Sequence, residues 1–99
     1  MGFDLQQNII KDINTIAEKY IIKKVVLFGS RARGDNKNTS DIDLAIYVMN
    51  DFDDKGSFTL DIEDIETLLK FDIVFIDNNS DEKLIENIEK DGVVIHERK

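Results

Sequence analysis

Cysteine is missing from all 99 residues, which excludes a disulfide framework and thiolate zinc sites and fits a reducing compartment. Histidine occurs once, as His96 in what reads as a polar tail, so neither a histidine-metal cluster nor a Ser-His-Asp triad is expected. No apolar run approaches the about 20 residues that a membrane-spanning helix needs, and the first residues lack a signal-peptide layout. Met1-Gly2 invites N-myristoylation, but Gln6 stands where that motif carries Ser or Thr. Together these absences predict a cytoplasmic protein with no membrane partner.

Positive charge is outnumbered. Thirteen Lys and Arg against 21 Asp and Glu leave a net charge of −8, which argues against direct nucleic-acid binding, because phosphate backbones are held mainly by Lys and Arg. The cations are unevenly placed. Lys19, Lys23, Lys24, Arg31, Arg33 and Lys37 face only Asp35 within residues 19–37, a local +5 that leaves −13 for the rest. A basic pocket on an acidic body suits a small polyanion such as a nucleotide. A hydrophobic share of 41% is enough to fold, and the length suits a single domain spanning residues 1–99.

Periodicity predicts the elements. Residues 4–19 read as a helix, with Phe3, Ile9, Ile10, Ile13, Ile16, Ala17 and Tyr20 near the 3.6 period and a capping-box pattern at Asp4 and Gln7. Lys23–Phe28 reads as a first strand. Asp41–Met49 reads as a second, with Ile42, Leu44, Ile46 and Val48 on one face and Asp41, Asp43, Ala45 and Tyr47 on the other. Asp51–Ser57 reads as an acidic solvated loop. It begins like a calcium loop, but Lys55 and Ile62 occupy ligand positions. A helix is expected over Thr59–Lys70, with Leu60, Ile62, Ile65, Leu68 and Leu69 inward. Phe71–Ile76 reads as a buried central strand, followed by a helix capped by Asn79 or Ser80 and running to Lys90, with Leu84, Ile85 and Ile88 buried. Asp91-Gly92 ends that helix and Val93–Ile95 closes the chain as a short strand. The expected class is α+β, a small mixed β-sheet with helices packed on one side.

The chemistry concentrates in residues 29–46. Gly29-Ser30 follows a strand and opens a short helix, a layout that turns backbone N–H groups and a hydroxyl toward a phosphate. Gly34 suits a left-handed turn. Asp41 and Asp43, two apart on a strand, stand on one face, and two anions that close repel unless a cation lies between them. Asp72 interrupts an otherwise apolar run, and a buried carboxylate needs a partner or a metal. Taken alone it could pair with Arg31 or Arg33. Beside Asp41 and Asp43 the metal is the better reading.

Gly29-Ser30-Arg31-Ala32-Arg33-Gly34, with Ser40-Asp41-Ile42-Asp43-Leu44 and the later Asp72, resembles the signature of the DNA polymerase beta nucleotidyltransferase superfamily, over roughly residues 21–97. In size the chain is similar to the minimal nucleotidyltransferases, the antitoxin halves of HEPN/MNT toxin–antitoxin pairs. That resemblance implies the polymerase beta-like fold and two Mg²⁺ ions held by Asp41, Asp43 and Asp72. Asp72 would also help to deprotonate the acceptor hydroxyl. It further implies a nucleotide held by Gly29 and Ser30, with Arg33 and Ser40 in support, and ATP as substrate. The implied reaction is transfer of AMP to a tyrosine of a HEPN-domain toxin, in a hetero-oligomer with that toxin. Two other functions stay open at this point: a catalytically silent antitoxin that neutralises its partner by binding, and a nucleotidyltransferase acting on small molecules of the antibiotic type.

Overall fold

A computed structural model describes residues 2–98. Helix α1 (Gln7–Lys19) leads into strand β1 (Lys24–Phe28), the single-turn helix α2 (Ser30–Arg33), strand β2 (Ile42–Tyr47), helix α3 (Lys55–Glu63), strand β3 (Phe71–Ile76), helix α4 (Glu82–Asp91) and strand β4 (Val93–Glu97). The sheet is mixed, in the order β3-β2-β1-β4. Strand β2 runs antiparallel to β1 and parallel to β3, with α3 in the crossover, and β4 runs antiparallel to β1.

Strict alternation along β1 and β2 sorts the core into two faces. Val25, Leu27, Ile42, Leu44, Ile46 and Val48 meet Ile9, Ile13 and Ala17 of α1 and Phe58 and Ile62 of α3. On the opposite face Val26, Ala45 and Ile76 pack against Ile88 of α4. Helices therefore lie on both faces: α1 and α3 follow the single-sided expectation, and α4 covers the other side. It can do so because Ala45 and Val26 keep that face shallow. Gly92 lets the end of α4 come down on it, since a Cβ there would lie 2.6 Å from both the Ile88 carbonyl oxygen and Val26 Cγ1.

Several expected boundaries move. The stripe that fits α3 is Phe58, Ile62 and Ile65, so the helix starts at Lys55 inside the expected loop and ends at Glu63. Leu60 and Leu68 point outward, at 64% and 104% exposure. Leu84 is exposed as well. The Asp4–Gln7 capping box does not form: Gln6 is the N-cap, with no side-chain cap bond, because Asp4 is drawn to Arg31 and Asn36. Helix α4 is capped by Asp81, whose Oδ1 accepts from the Lys83 amide, while Ser80 Oγ accepts from the Asp77 amide.

His96 is no tail residue. It is 5% exposed in β4, which runs two residues beyond the expected strand end. Asn14 Nδ2 donates to the carbonyls of Ile10 and Ile95, so Asn14 Oδ1 accepts and the His96 Nδ1 atom 2.7 Å away carries the proton. His96 thus ties the last strand to α1, a structural role.

Candidate active site

The site forms where β1 ends and β2 and β3 begin. Gly29 turns the chain out of β1 with φ 77° and ψ −157°, a region open essentially to glycine alone. A Cβ built there would overlap Asp43 Oδ2, so the phosphate-type turn and the carboxylate lie directly against each other. Ser30 then opens α2. As the first residues of a helix, Ser30 and Arg31 have amides with no preceding turn to bond. Gly34 ends α2 in the expected left-handed conformation, its amide donating to the Ser30 carbonyl over 2.9 Å.

The parallel pairing of β2 with β3 sets Asp43 directly opposite Asp72, and Phe28 of β1 completes the row. Asp41 lies just ahead of β2, two residues from Asp43 and exposed. Burial pushes the half-buried Asp43 carboxyl above its ordinary value. The charges of Asp72 and Asp41 and hydrogen-bond contact with Asp72 push the same way, and the Arg33 charge opposes them.

Asp72 itself is exposed, because β3 is an edge strand and not the central one its apolar run suggests. Its partner question is also answered. Arg31 binds Asp4 and main-chain carbonyls, and Arg33 binds Asp35, so neither arginine pairs with Asp72. Arg33 is half-exposed at the rim, its Nε donating to Asp35 Oδ2 over 3.1 Å.

Ser40 is committed to its own loop. Its Oγ accepts from the Lys37 amide at 2.9 Å, and its carbonyl accepts from Arg31 Nε at 3.0 Å. Among the described residues no three acidic or histidine side chains already form a metal-holding cluster. The three aspartates lie at one end of the sheet, Asp43 within charge range of the other two, without closing on a common point. Their chemistry still fits a hard divalent cation: all donors are carboxylate oxygens, and mutual repulsion already weighs on Asp43. Sequence reasoning offers Arg31 as a partner for Asp72 and not as a buried brace of the loop. A cation on a short polar turn reads as surface, and nothing in the spacing signals that this one is buried.

A strand ending in Gly-Ser, with a short helix beyond it and acidic strands beginning beside it, is the frame of a nucleotidyltransferase. The chain matches the Polymerase beta, Nucleotidyltransferase family over residues 11–99 and belongs to it. Two proteins of Methanocaldococcus jannaschii are similar along most of its length. "Putative protein adenylyltransferase MJ1215" is 31% identical over 78% of this chain and 88% of its own. "Putative protein adenylyltransferase MJ0604" is 40% identical over 70% and 67%. Among solved structures, a mutant MntA-HpeT toxin–antitoxin superposes with TM-score 0.67 at 16% identity, covering 91% of this chain and 74% of the other. A toxin–antitoxin with AMP-PNP superposes with TM-score 0.64 at 19% identity over the same shares. At such identities the likeness establishes a common fold, and family membership makes the chain a nucleotidyltransferase.

Proposed function

We propose that this chain transfers AMP from ATP, with Mg²⁺, to a hydroxyl of a partner protein, a tyrosine of a HEPN-domain toxin, and thereby acts as its antitoxin. The observation that carries the reading is the row of Asp43 and Asp72 in register, with Asp41 beside it and Gly29 against the Asp43 carboxylate. The names of the similar adenylyltransferases and of the toxin–antitoxin neighbours support the same direction.

In this mechanism Asp41 and Asp43 would hold two Mg²⁺ ions and Asp72 would complete one of the sites. Such ions neutralise triphosphate charge and stabilise the attacking and leaving oxygens of an in-line displacement. Gly29 admits the β- and γ-phosphates close to the backbone, and the amides at the head of α2 with the Ser30 hydroxyl orient them. Arg33, at the rim, adds positive charge on the phosphate side. Ser40 braces the loop with its acceptors, and its hydroxyl keeps its O–H to donate to the nucleotide. Asp72 stands on the open edge of the sheet, where an acceptor hydroxyl can approach and pass on its proton. Pyrophosphate leaves toward solvent. Most of the acceleration asked of the protein is positioning and charge neutralisation.

The test is incubation with α-labelled ATP, Mg²⁺ and the product of the adjacent gene. Label on a partner tyrosine, lost with Asp41→Asn, is the expected result. Tight association without label identifies a silent antitoxin, and label on a small molecule alone identifies a different acceptor class.

A further inference from the structure

Arg31 is 4% exposed, and its guanidinium is spent on three main-chain carbonyls, two in the 38–40 loop and one at Asp4. Nε donates to the Ser40 carbonyl at 3.0 Å, Nη2 to the Asn38 carbonyl at 3.1 Å and Nη1 to the Asp4 carbonyl at 3.2 Å. The Asp4 carboxylate supplies countercharge, its Oδ2 lying 3.5 Å from Nη1, and the Asp4 amide returns a 2.8 Å bond to the Arg31 carbonyl.

The location matters more than the number of bonds. Arg31 follows Ser30 in α2, so its backbone belongs to the phosphate turn. Its Nε holds the peptide unit that joins Ser40 to Asp41, and Asp41 precedes the first residue of β2, so the strand ladder does not fix it. We propose that Arg31 is a positioning residue, whose buried guanidinium sets the spacing between the phosphate turn and the Asp41 carboxylate and so pre-shapes the mouth for a metal–nucleotide complex. This rests on the metal-and-nucleotide reading given under Proposed function.

Lysine cannot replace it. A single ammonium on a flexible stem cannot serve the Ser40 and Asn38 carbonyls in a planar fork. Arg31→Lys keeps the charge opposite Asp4 and guards the test against simple unfolding, which Arg31→Ala invites by leaving buried carbonyls unpaired.

Wild type, Arg31→Lys and Asp43→Asn are compared by amide hydrogen exchange of residues 38–42 without ligand and by Mn²⁺ uptake with ATP, read as loss of the free-ion EPR signal. With Arg31→Lys, exchange is expected to quicken at residues 38–42 while the β1–β2 ladder keeps wild-type protection. Mn²⁺ uptake is expected to weaken by about tenfold or more, the scale of residues that orient metal ligands. A merely structural arginine would slow or quicken exchange across the whole sheet alike. Wild-type exchange in the loop, wild-type Mn²⁺ affinity, or uniform loss of protection overturns the inference. Should wild type take up no more Mn²⁺ than Asp43→Asn, the metal reading of the mouth fails instead, and loop exchange alone then decides whether Arg31 holds Asp41 in place.

Discussion

Asp43 is the candidate-site carboxylate on which burial and like charge converge. It is half-buried, touches Asp72 and feels Asp41, and these together raise its carboxyl above the ordinary value. A carboxyl whose proton is held more tightly in the folded chain weakens folding as pH rises through the window between its unfolded and folded values. Below the ordinary carboxylate value, about 3.9, both states are protonated and the effect vanishes. Asp43→Asn should therefore raise the melting temperature at neutral pH in the presence of EDTA, and the gain should disappear as the pH falls below about 4. Melting curves of the two proteins from pH 3 to 8 check this. A mutant less stable than wild type at pH 7 would mean that the carboxylate is held by a favourable partner. The residue-scale legibility of the site follows the same physics. Asp41 and Asp43 stand out by their position, two apart at the start of a strand whose other face is apolar, although Asp41 falls just ahead of that strand. Asp72 stands out as a charge within an apolar run, yet the run belongs to an edge strand. Arg31 and His96 are hidden because a polar residue in a polar stretch says nothing about burial until long-range partners, here Ser40 and Asn14, are known.

Between elements, a polar cluster joins α4 to the end of the sheet opposite the site. Tyr47 of β2 donates its hydroxyl to Glu89 of α4 at 3.0 Å, while Lys24 of β1 lies 4.6 Å from the Tyr47 ring centroid and 3.9 Å from Glu89. Burial first, then the bond and charge of Glu89, push the Tyr47 phenol up to about 12. The sign follows directly: in the window between its ordinary value, about 10, and about 12, the folded chain keeps a proton that the unfolded chain releases. The stability that this contact contributes is complete below that window and is lost as pH rises through it. Phenolate absorbance during alkaline titration should show Tyr47 ionising late, and Tyr47→Phe should flatten the loss of stability between pH 10 and 12. An early-titrating Tyr47 would show that α4 is not docked through Glu89. Which helices form was readable from period alone, as the Ile9, Ile13, Ala17 stripe of α1 shows. The phase and end of α3 were not, because Leu60 and Leu68 add apolar residues off the face that Phe58 and Ile62 bury. Only contact with the sheet chooses the face. The face taken by α4 was equally hidden, since a small residue such as Ala45 fits a bare or a covered sheet.

Across the whole molecule, a chain of net charge −8 repels itself and gathers three carboxylates at one mouth, so cations should stabilise it in two separable ways. Any salt screens the general repulsion. Mg²⁺ together with ATP should add a specific contribution by binding only the folded state, about 2.7 kcal/mol when ligand stands at 100 times its dissociation constant. For a domain of this size each kcal/mol moves the melting temperature by about 4–8 °C. The informative comparison is thus between Mg²⁺ with ATP and NaCl of equal ionic strength. At that saturation wild type should melt higher by about 10–20 °C in the first. Asp43→Asn should show the screening gain in both and no additional shift with nucleotide, if the proposed function is right and its carboxylate joins the phosphate turn to the metal. Equal shifts for the two proteins would mean that the carboxylate row is a charged rim, with the nucleotide held elsewhere. A shift confined to wild type would tie nucleotide binding to the one place where Gly29, Asp43 and Asp72 meet.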